Sequence, residues 1–312
     1  EIDPRDARSW YNKGVVLYKL ERPEEALKAF RRSAAVDPQY ASAWYNQGNV
    51  LLKLHRFKEA LQAYDKVIEL KSRHTGVWYN KGLALFALAR YNEALDAYRK
   101  AVDIYPNHVG AWYHKGIVLY NLDRLEEALK SYQKAIDIHP DHVGAWYNKG
   151  IALYKTGRTK EALESFDKAL EFNPRHPDYW YNKGIVLDKL GRPEEALQVY
   201  EKAIEINPQY VSAWANKGIA LSKLVRPEEA LKAFERAIEI DPQYASAYYN
   251  KACILDQLAR PEEALASYEK AIKLYDSHAL AWTNKGIVLG KLGRNEEALK
   301  TLERAMEINS RH

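Results

Sequence analysis

Across residues 143–176, VGAWYNKGIALYKTGRTKEALESFDKALEFNPRH, apolar positions recur at helical spacing in two blocks. The first runs from Gly144 to about Thr156 and the second from about Lys160 to Phe172. Gly157-Arg158 is a helix stop, and Asn173-Pro174 ends the second block in the same way. The segment therefore predicts a helical hairpin. The pattern then recurs every 34 residues. Trp10, Trp44, Trp78, Trp112, Trp146, Trp180 and Trp214 keep one register, Tyr248 takes the next place, and Trp282 resumes it, which uses all eight tryptophans. Nine copies follow: 7–40, 41–74, 75–108, 109–142, 143–176, 177–210, 211–244, 245–278 and 279–312, with 1–6 as the tail of a preceding copy. A period of this length predicts an all-α solenoid, and 7–312 reads as one domain.

Two rows of small residues mark where the paired helices must approach closely. One is the glycine row from Gly14 to Gly286, with Ala252 as its single substitute, and the other is the alanine row from Ala26 to Ala298. A larger side chain in either would cost roughly 1–3 kcal/mol. Two charged rows never vary. The arginines from Arg22 to Arg294 follow the first helix, where a cation suits exposed carbonyls, and the glutamates from Glu25 to Glu297 lie in the opening turn of the second, where an anion suits free N–H groups. Helix-end electrostatics accounts for the arginines better than phosphate binding does. Pro23, Pro193, Pro227 and Pro261 stand where a helix start tolerates a missing donor.

Trp146, Gly150, Ala162, Phe166 and Pro174 together resemble the signature of the tetratricopeptide repeat, and the resemblance covers all nine copies. It implies hairpins stacked into a right-handed superhelix with a concave groove that serves as a peptide- or protein-binding scaffold. Ser72 and Asp276 depart from the usual proline and Leu302 from the usual aromatic, so the junctions near Ser72 and Asp276 are expected to be looser or differently bent. At 100° per residue, Trp146, Gly150 and Leu153 share the packed side of the first helix. Tyr147, Asn148, Ile151, Tyr154 and Lys155 share the side that the resemblance assigns to the groove.

The groove rows are the candidate peptide-binding residues. One reads Asn12, Asn46, Asn80, His114, Asn148, Asn182, Asn216, Asn250 and Asn284. A ladder of side-chain amides offers two donors and an acceptor per rung, enough to grip an extended backbone without reading its sequence. The competing role is hydrogen bonding between neighbouring helices. Beside it run Tyr11, Tyr45, Tyr79, Tyr113, Tyr147, Tyr181 and Tyr249, and a mainly aliphatic row that includes Ile117 and Ile151 but also Asn49 and Cys253. The last row changes along the chain: Tyr18, Leu52, Phe86, Tyr120 and Tyr154, then Asp188, Ser222, Asp256 and Gly290. Repeats one to five thus predict an apolar trough suited to an apolar peptide or amphipathic helix, and repeats six to nine a more polar, locally acidic surface. A two-carboxylate clamp for acidic C-termini would need Lys where the chain has Tyr and Asn where it has Ile or Val; only Asn49 matches.

A lysine row, Lys13, Lys81, Lys115, Lys149, Lys183, Lys217, Lys251 and Lys285, lies at the edge of the packed side, with Gln47 as its exception. Packed stems with ammonium groups snorkelling outward are expected, and an anionic partner is the other role open to them. Forty-seven Lys and Arg against 42 Asp and Glu leave +5, too mild for a nucleic-acid or membrane footprint. The single cysteine, Cys253, gives no disulfide framework and fits a reducing compartment, which points to the cytoplasm. No apolar run is long enough to span a membrane and no leader opens the chain, which begins inside a repeat as a segment of a longer protein would. His74, His108, His142, His176, His278 and His312 fall at junctions of successive copies, too far apart to share a metal; only His139 and His142 are close. With no phosphate loop and no nucleophile elbow, no catalysis, metal or cofactor is assigned. The leading function is a non-enzymatic peptide- or protein-binding scaffold. The alternatives are the substrate-recruiting arm of a larger enzyme and an end-to-end self-assembling scaffold, the latter because Leu302 and Met306 would be left partly uncovered.

Overall fold

The computed structural model describes residues 6–71, 74 and 76–310. Among them are eighteen α-helices and no strand. The chain divides into two compact halves, 1–156 and 157–312. The N-terminal half holds α1 (Ala7–Lys19), α2 (Pro23–Val36), α3 (Ala41–Lys53), α4 (Phe57–Glu69), α5 (Val77–Ala87), α6 (Tyr91–Ile104), α7 (Val109–Asn121), α8 (Leu125–Ile138) and α9 (Val143–Lys155). The C-terminal half holds α10 (Thr159–Phe172), α11 (Pro177–Lys189), α12 (Pro193–Ile206), α13 (Val211–Lys223), α14 (Pro227–Ile240), α15 (Ala245–Gln257), α16 (Pro261–Leu274), α17 (Ala279–Lys291) and α18 (Asn295–Asn309). Within each half every helix packs on the next, as in an α-solenoid.

The hairpin turn has one backbone solution in all nine copies. The residue after the first helix takes a left-handed conformation, with φ of 72–78° at Gly157, Gly191 and Gly293 and 56–58° at Glu21, His55, Ala89, Asp123, Val225 and Ala259. The following Arg N–H then reaches back to close the helix end, as Arg22 does to the Leu17 carbonyl at 3.0 Å. The turn is thus imposed on six residues that disfavour it.

The glycine row is a true close approach. A Cβ on Gly14, Gly48, Gly82, Gly116, Gly184 or Gly218 would lie 2.4–2.7 Å from the ring of Phe30, Tyr64, Tyr98, Tyr132, Tyr200 or Phe234 on the paired helix. The alanine row is buried throughout. The indoles of Trp44, Trp112, Trp146, Trp180, Trp214 and Trp282 close the preceding junction, as in Trp112 Nε1 to the Pro106 carbonyl at 2.7 Å and Trp214 Nε1 to the Pro208 carbonyl at 3.0 Å. The junction at Asp276 keeps this bond, with Trp282 Nε1 donating at 2.7 Å, and Arg304 adds an ion pair to Asp276 at 3.0 Å. It is no looser than its counterparts. Ser72 lies outside the described residues, as does His312.

The invariant Arg and Glu rows do more than suit helix ends separately. Each arginine pairs with the glutamate three residues on, in fork geometry: Arg192 Nε to Glu195 Oε1 at 2.6 Å and Nη2 to Oε2 at 2.7 Å, with equivalents from Arg22–Glu25 to Arg294–Glu297. The hydrogen bond from arginine holds carboxyls such as Glu25 and Glu195 below their usual range.

Candidate functional site

In the N-terminal half, the predicted groove residues lie on one side of α1, α3, α5, α7 and α9. The asparagines bond to one another's repeats. Asn46 Nδ2 donates to Tyr11 Oη at 3.0 Å, Asn80 Nδ2 to Tyr45 Oη at 3.2 Å, and Asn148 Nδ2 to Tyr113 Oη at 3.0 Å. His114 holds the Gly110 carbonyl through Nδ1 at 2.8 Å and lies 3.5 Å from Tyr79 Oη. Asn12 is exposed. The amide nitrogens of Asn46, Asn80 and Asn148 are thus engaged between helices of successive repeats.

The tyrosines of the neighbouring row are half-buried. The rings of Tyr11, Tyr45, Tyr79 and Tyr113 lean on the aromatic of the paired helix and on the junction residue. Tyr45 stacks on His74 with centroids 4.8 Å apart, and Tyr113 sits 4.7 Å from His142 and 6.2 Å from Tyr132. Burial pushes the Tyr79 and Tyr113 hydroxyls up. His108 and His142 also cap the next helix, accepting the Ala111 and Ala145 N–H through Nδ1 at 3.1 and 3.0 Å. Tyr147 and Asn148 are half-buried, as are Ile117 and Ile151. Leu52, Phe86 and Tyr120 are half-buried, while Tyr18 and Tyr154 are 37% and 36% exposed.

Asn49, the polar exception in the aliphatic row, joins two repeats. Its Oδ1 accepts from both Asn80 Nδ2 (2.8 Å) and the buried Tyr64 Oη (3.0 Å). It also lines a cleft of about 330 Å³ with Tyr18, Asn46, Leu52, Lys53 and Asn80. Lys155 was read from the sequence as a groove-side residue, whereas its counterpart Lys53 was not. Each lies over the ring 35 residues earlier, Tyr18 and Tyr120, at 5.1 Å. The 34-residue register was the signal that could have found Lys53.

In the C-terminal half, Asn216 Nδ2 donates to Tyr181 Oη and Asn284 Nδ2 to Tyr249 Oη, both at 3.4 Å. Asn182 and Asn250 donate to the Asp178 and Ser246 carbonyls in their own helices. The predicted acidic character requires correction. Lys223 and Lys291, occupying the place of Lys53, pair with Asp188 at 3.0 Å and Asp256 at 2.7 Å, and Tyr200 Oη donates to Asp188 at 2.9 Å. The surface is polar with its charges compensated. Cys253 is half-buried and accepts from Tyr268 Oη at 3.4 Å.

The lysine row is also placed differently from the expectation. Five of its ammonium groups reach acids on the preceding helix, as Lys183 does to Asp167 at 2.6 Å while lying over the Trp180 indole. His139 pairs with Asp141, and its ring lies 6.3 Å from that of His142. Among the described residues no group of three or more His, Cys, Asp or Glu side chains is arranged to hold a metal. No helix there is long and apolar enough to cross a membrane.

Hairpins of this kind, stacked in register with one aromatic and amide face, define a helical-repeat scaffold of the type that serves protein interaction. Models of the tetratricopeptide repeat match residues 3–41, 11–74, 45–109, 79–143, 113–177, 147–211 and 181–245, and a second such model matches 233–266 and 267–300. The chain belongs to the tetratricopeptide repeat family. Comparison with curated protein sequences finds no match. Among solved structures it is similar to YrrB, described as a repeat protein with an unusual peptide-binding site, at 30% identity and a TM-score of 0.54, over 61% of this chain and 98% of that one. It is similar to MamA at 26% identity and a TM-score of 0.51, over 53% and 96% of the two chains. A MamA from Desulfovibrio magneticus RS-1, at 22% identity and a TM-score of 0.51, shares the fold.

Proposed function

We propose that the protein is a non-catalytic scaffold that binds a peptide or a helix of a partner protein along the groove face of its N-terminal half. The observation that carries this is the row Tyr18, Leu52, Phe86, Tyr120 and Tyr154, five large apolar side chains in register and none of them fully buried. A continuous apolar strip is what an amphipathic helix or apolar peptide covers. The cleft beside Tyr18 and Leu52 adds polar contacts from Asn46, Asn49 and Asn80 at one end. YrrB, the relative described as peptide-binding, supports the class of ligand. Because the Asn amide nitrogens already serve the helix stack, the apolar row supplies most of the affinity and the asparagines hold its geometry. The test is selection of a displayed peptide library on the protein and on a variant with Phe86, Tyr120 and Tyr154 changed to Ser. Peptides enriched on the parent and lost on the variant, with helicity unchanged, support the proposal. Equal enrichment on both removes the strip as the binding surface.

A second reading, association through α18, is favoured by Leu299 and Met306, which are 61% and 63% exposed, whereas Leu265, one repeat before Leu299, is 7% exposed. Sedimentation at rising concentration tests it: a constant mass sinks it.

A further inference from the structure

The nine copies act as internal controls for one another, and the lysine row shows one copy that breaks a rule. In five places this lysine pairs with an acid sixteen residues earlier, on the preceding helix: Lys81–Asp65, Lys183–Asp167, Lys217–Glu201, Lys251–Glu235 and Lys285–Glu269, at 2.5–3.1 Å. Lys149 finds Gln133 there instead, at 2.7 Å. For Lys115 the same position holds Arg99. The side chain responds. Where the acid is present, Lys81, Lys183, Lys217 and Lys285 stand 5.4–5.8 Å from their indole centroids. Lys115 is drawn in to 4.5 Å from that of Trp112, the shortest in the row.

We infer that the notch formed by Arg99, Lys115 and Trp112 is a second interaction surface, which takes a carboxylate from an acidic segment of a partner protein in place of the missing internal acid. Its Lys115 lies roughly 140–160° around α7 from the groove residues Ile117 and Tyr120, so both faces can be occupied together. Arg99 and Lys130 are exposed beside it. Lys115 opens onto a cleft of about 560 Å³ lined also by Trp112, Lys130, Lys134, Glu127 and Asp137. The two carboxylates of that cleft are engaged, Glu127 by Arg124 at 2.6 Å and Asp137 by Gln133 Nε2 at 2.8 Å and Lys134 at 3.9 Å. Arg99 has Asp96 at 3.4 Å in its own helix. Among the described residues no carboxylate lies within ion-pair distance of the Lys115 ammonium. Burial, with Arg99 as the next cause, depresses its proton affinity, and a docked carboxylate would relieve both. The indole floor excludes water beneath the pair and strengthens it.

The test is fluorescence anisotropy of a fluorescein-labelled hexaglutamate peptide at low salt, with a single-stranded oligothymidine of equal charge as the comparison probe. R99E returns an acid to the register and should weaken peptide binding about tenfold, with the melting temperature unchanged or raised. E201R removes the partner of Lys217 and should create a second peptide site of similar affinity. Unchanged peptide affinity in R99E overturns the proposal, and so does a folded E201R that gains no site. Oligothymidine binding as tight as the peptide and equally lost in R99E would make the notch a nucleic-acid contact and overturn it also.

Discussion

The tyrosine hydroxyls buried between paired helices allow a perturbation with opposite signs in neighbouring copies. Tyr64, Tyr98 and Tyr200 occupy the same register, and each is completely buried. Tyr64 Oη donates to Asn49 Oδ1 at 3.0 Å and Tyr200 Oη to the Asp188 carboxylate at 2.9 Å. Tyr98 has Leu83 where Tyr64 has Asn49, and His114 where Tyr64 has Asn80, and its hydroxyl has no hydrogen-bond partner among the described residues. Changing Tyr to Phe removes one oxygen and leaves ring packing intact. Y64F therefore loses a neutral hydrogen bond, about 1 kcal/mol, and Y200F a charge-assisted one, about 1.5–3 kcal/mol. Y98F removes an unsatisfied buried hydroxyl, whose presence costs about 1–3 kcal/mol, and should stabilise the protein. The assay is urea unfolding followed by helical circular dichroism, paired with native-state hydrogen exchange. Exchange is needed because stacked repeats can open locally and a single midpoint would average them. Protection in α5 to α7 should rise in Y98F and protection in α3 to α5 should fall in Y64F. If Y98F destabilises as much as Y64F, its hydroxyl has a partner and the reasoning from internal copies fails at this site.

Val225 is 85% exposed with φ of 57°, a conformation that costs an L residue about 1–2 kcal/mol, so V225G should raise the unfolding free energy by roughly 1 kcal/mol, read as a higher urea midpoint. G116A places a Cβ 2.5 Å from the Tyr132 ring and should cost about 1–3 kcal/mol, whereas G290A meets nothing within 4 Å in α17 and should gain about 0.5–1 kcal/mol; equal effects in thermal melts would refute the close-approach argument. Burial depresses the His74, His108, His114 and His142 pKa values, and His108 and His142 cap helices as neutral acceptors. Because the folded state disfavours their protonation, their contribution is complete above the ordinary histidine pKa of about 6.5 and declines as pH falls through the lower folded values. Melting temperature should fall as pH drops below about 6.5, less steeply in H142N, which keeps a neutral cap; a flat profile there would refute it.

Much of the architecture was legible in one repeat. Trp, Gly, Ala and Pro at fixed offsets place both helices of 143–176 within a residue or two of α9 and α10, because helix stops and close contacts are local demands that side-chain size alone can meet. The groove rows were legible as rows, since the same angular arithmetic applies to each first helix. The left-handed turn was legible only at Gly157, Gly191 and Gly293. Elsewhere the geometry is forced on residues such as Val225 by the packing of the hairpin.

Sequence by itself determined the hairpin, its period and the family, since these follow from hydrophobic spacing and steric fit within about 34 residues. Tertiary structure decided the partners. It turned the Arg and Glu rows into forked pairs, gave Asn46, Asn80, Asn148, Asn216 and Asn284 bonds to tyrosines of the preceding repeat, and neutralised Asp188 and Asp256 with lysines 35 residues on. It also left Tyr98 without a bond and Lys115 without an acid. Hydrogen bonds and ion pairs form only where atoms come within about 3 Å, and that distance depends on how one repeat seats against the next.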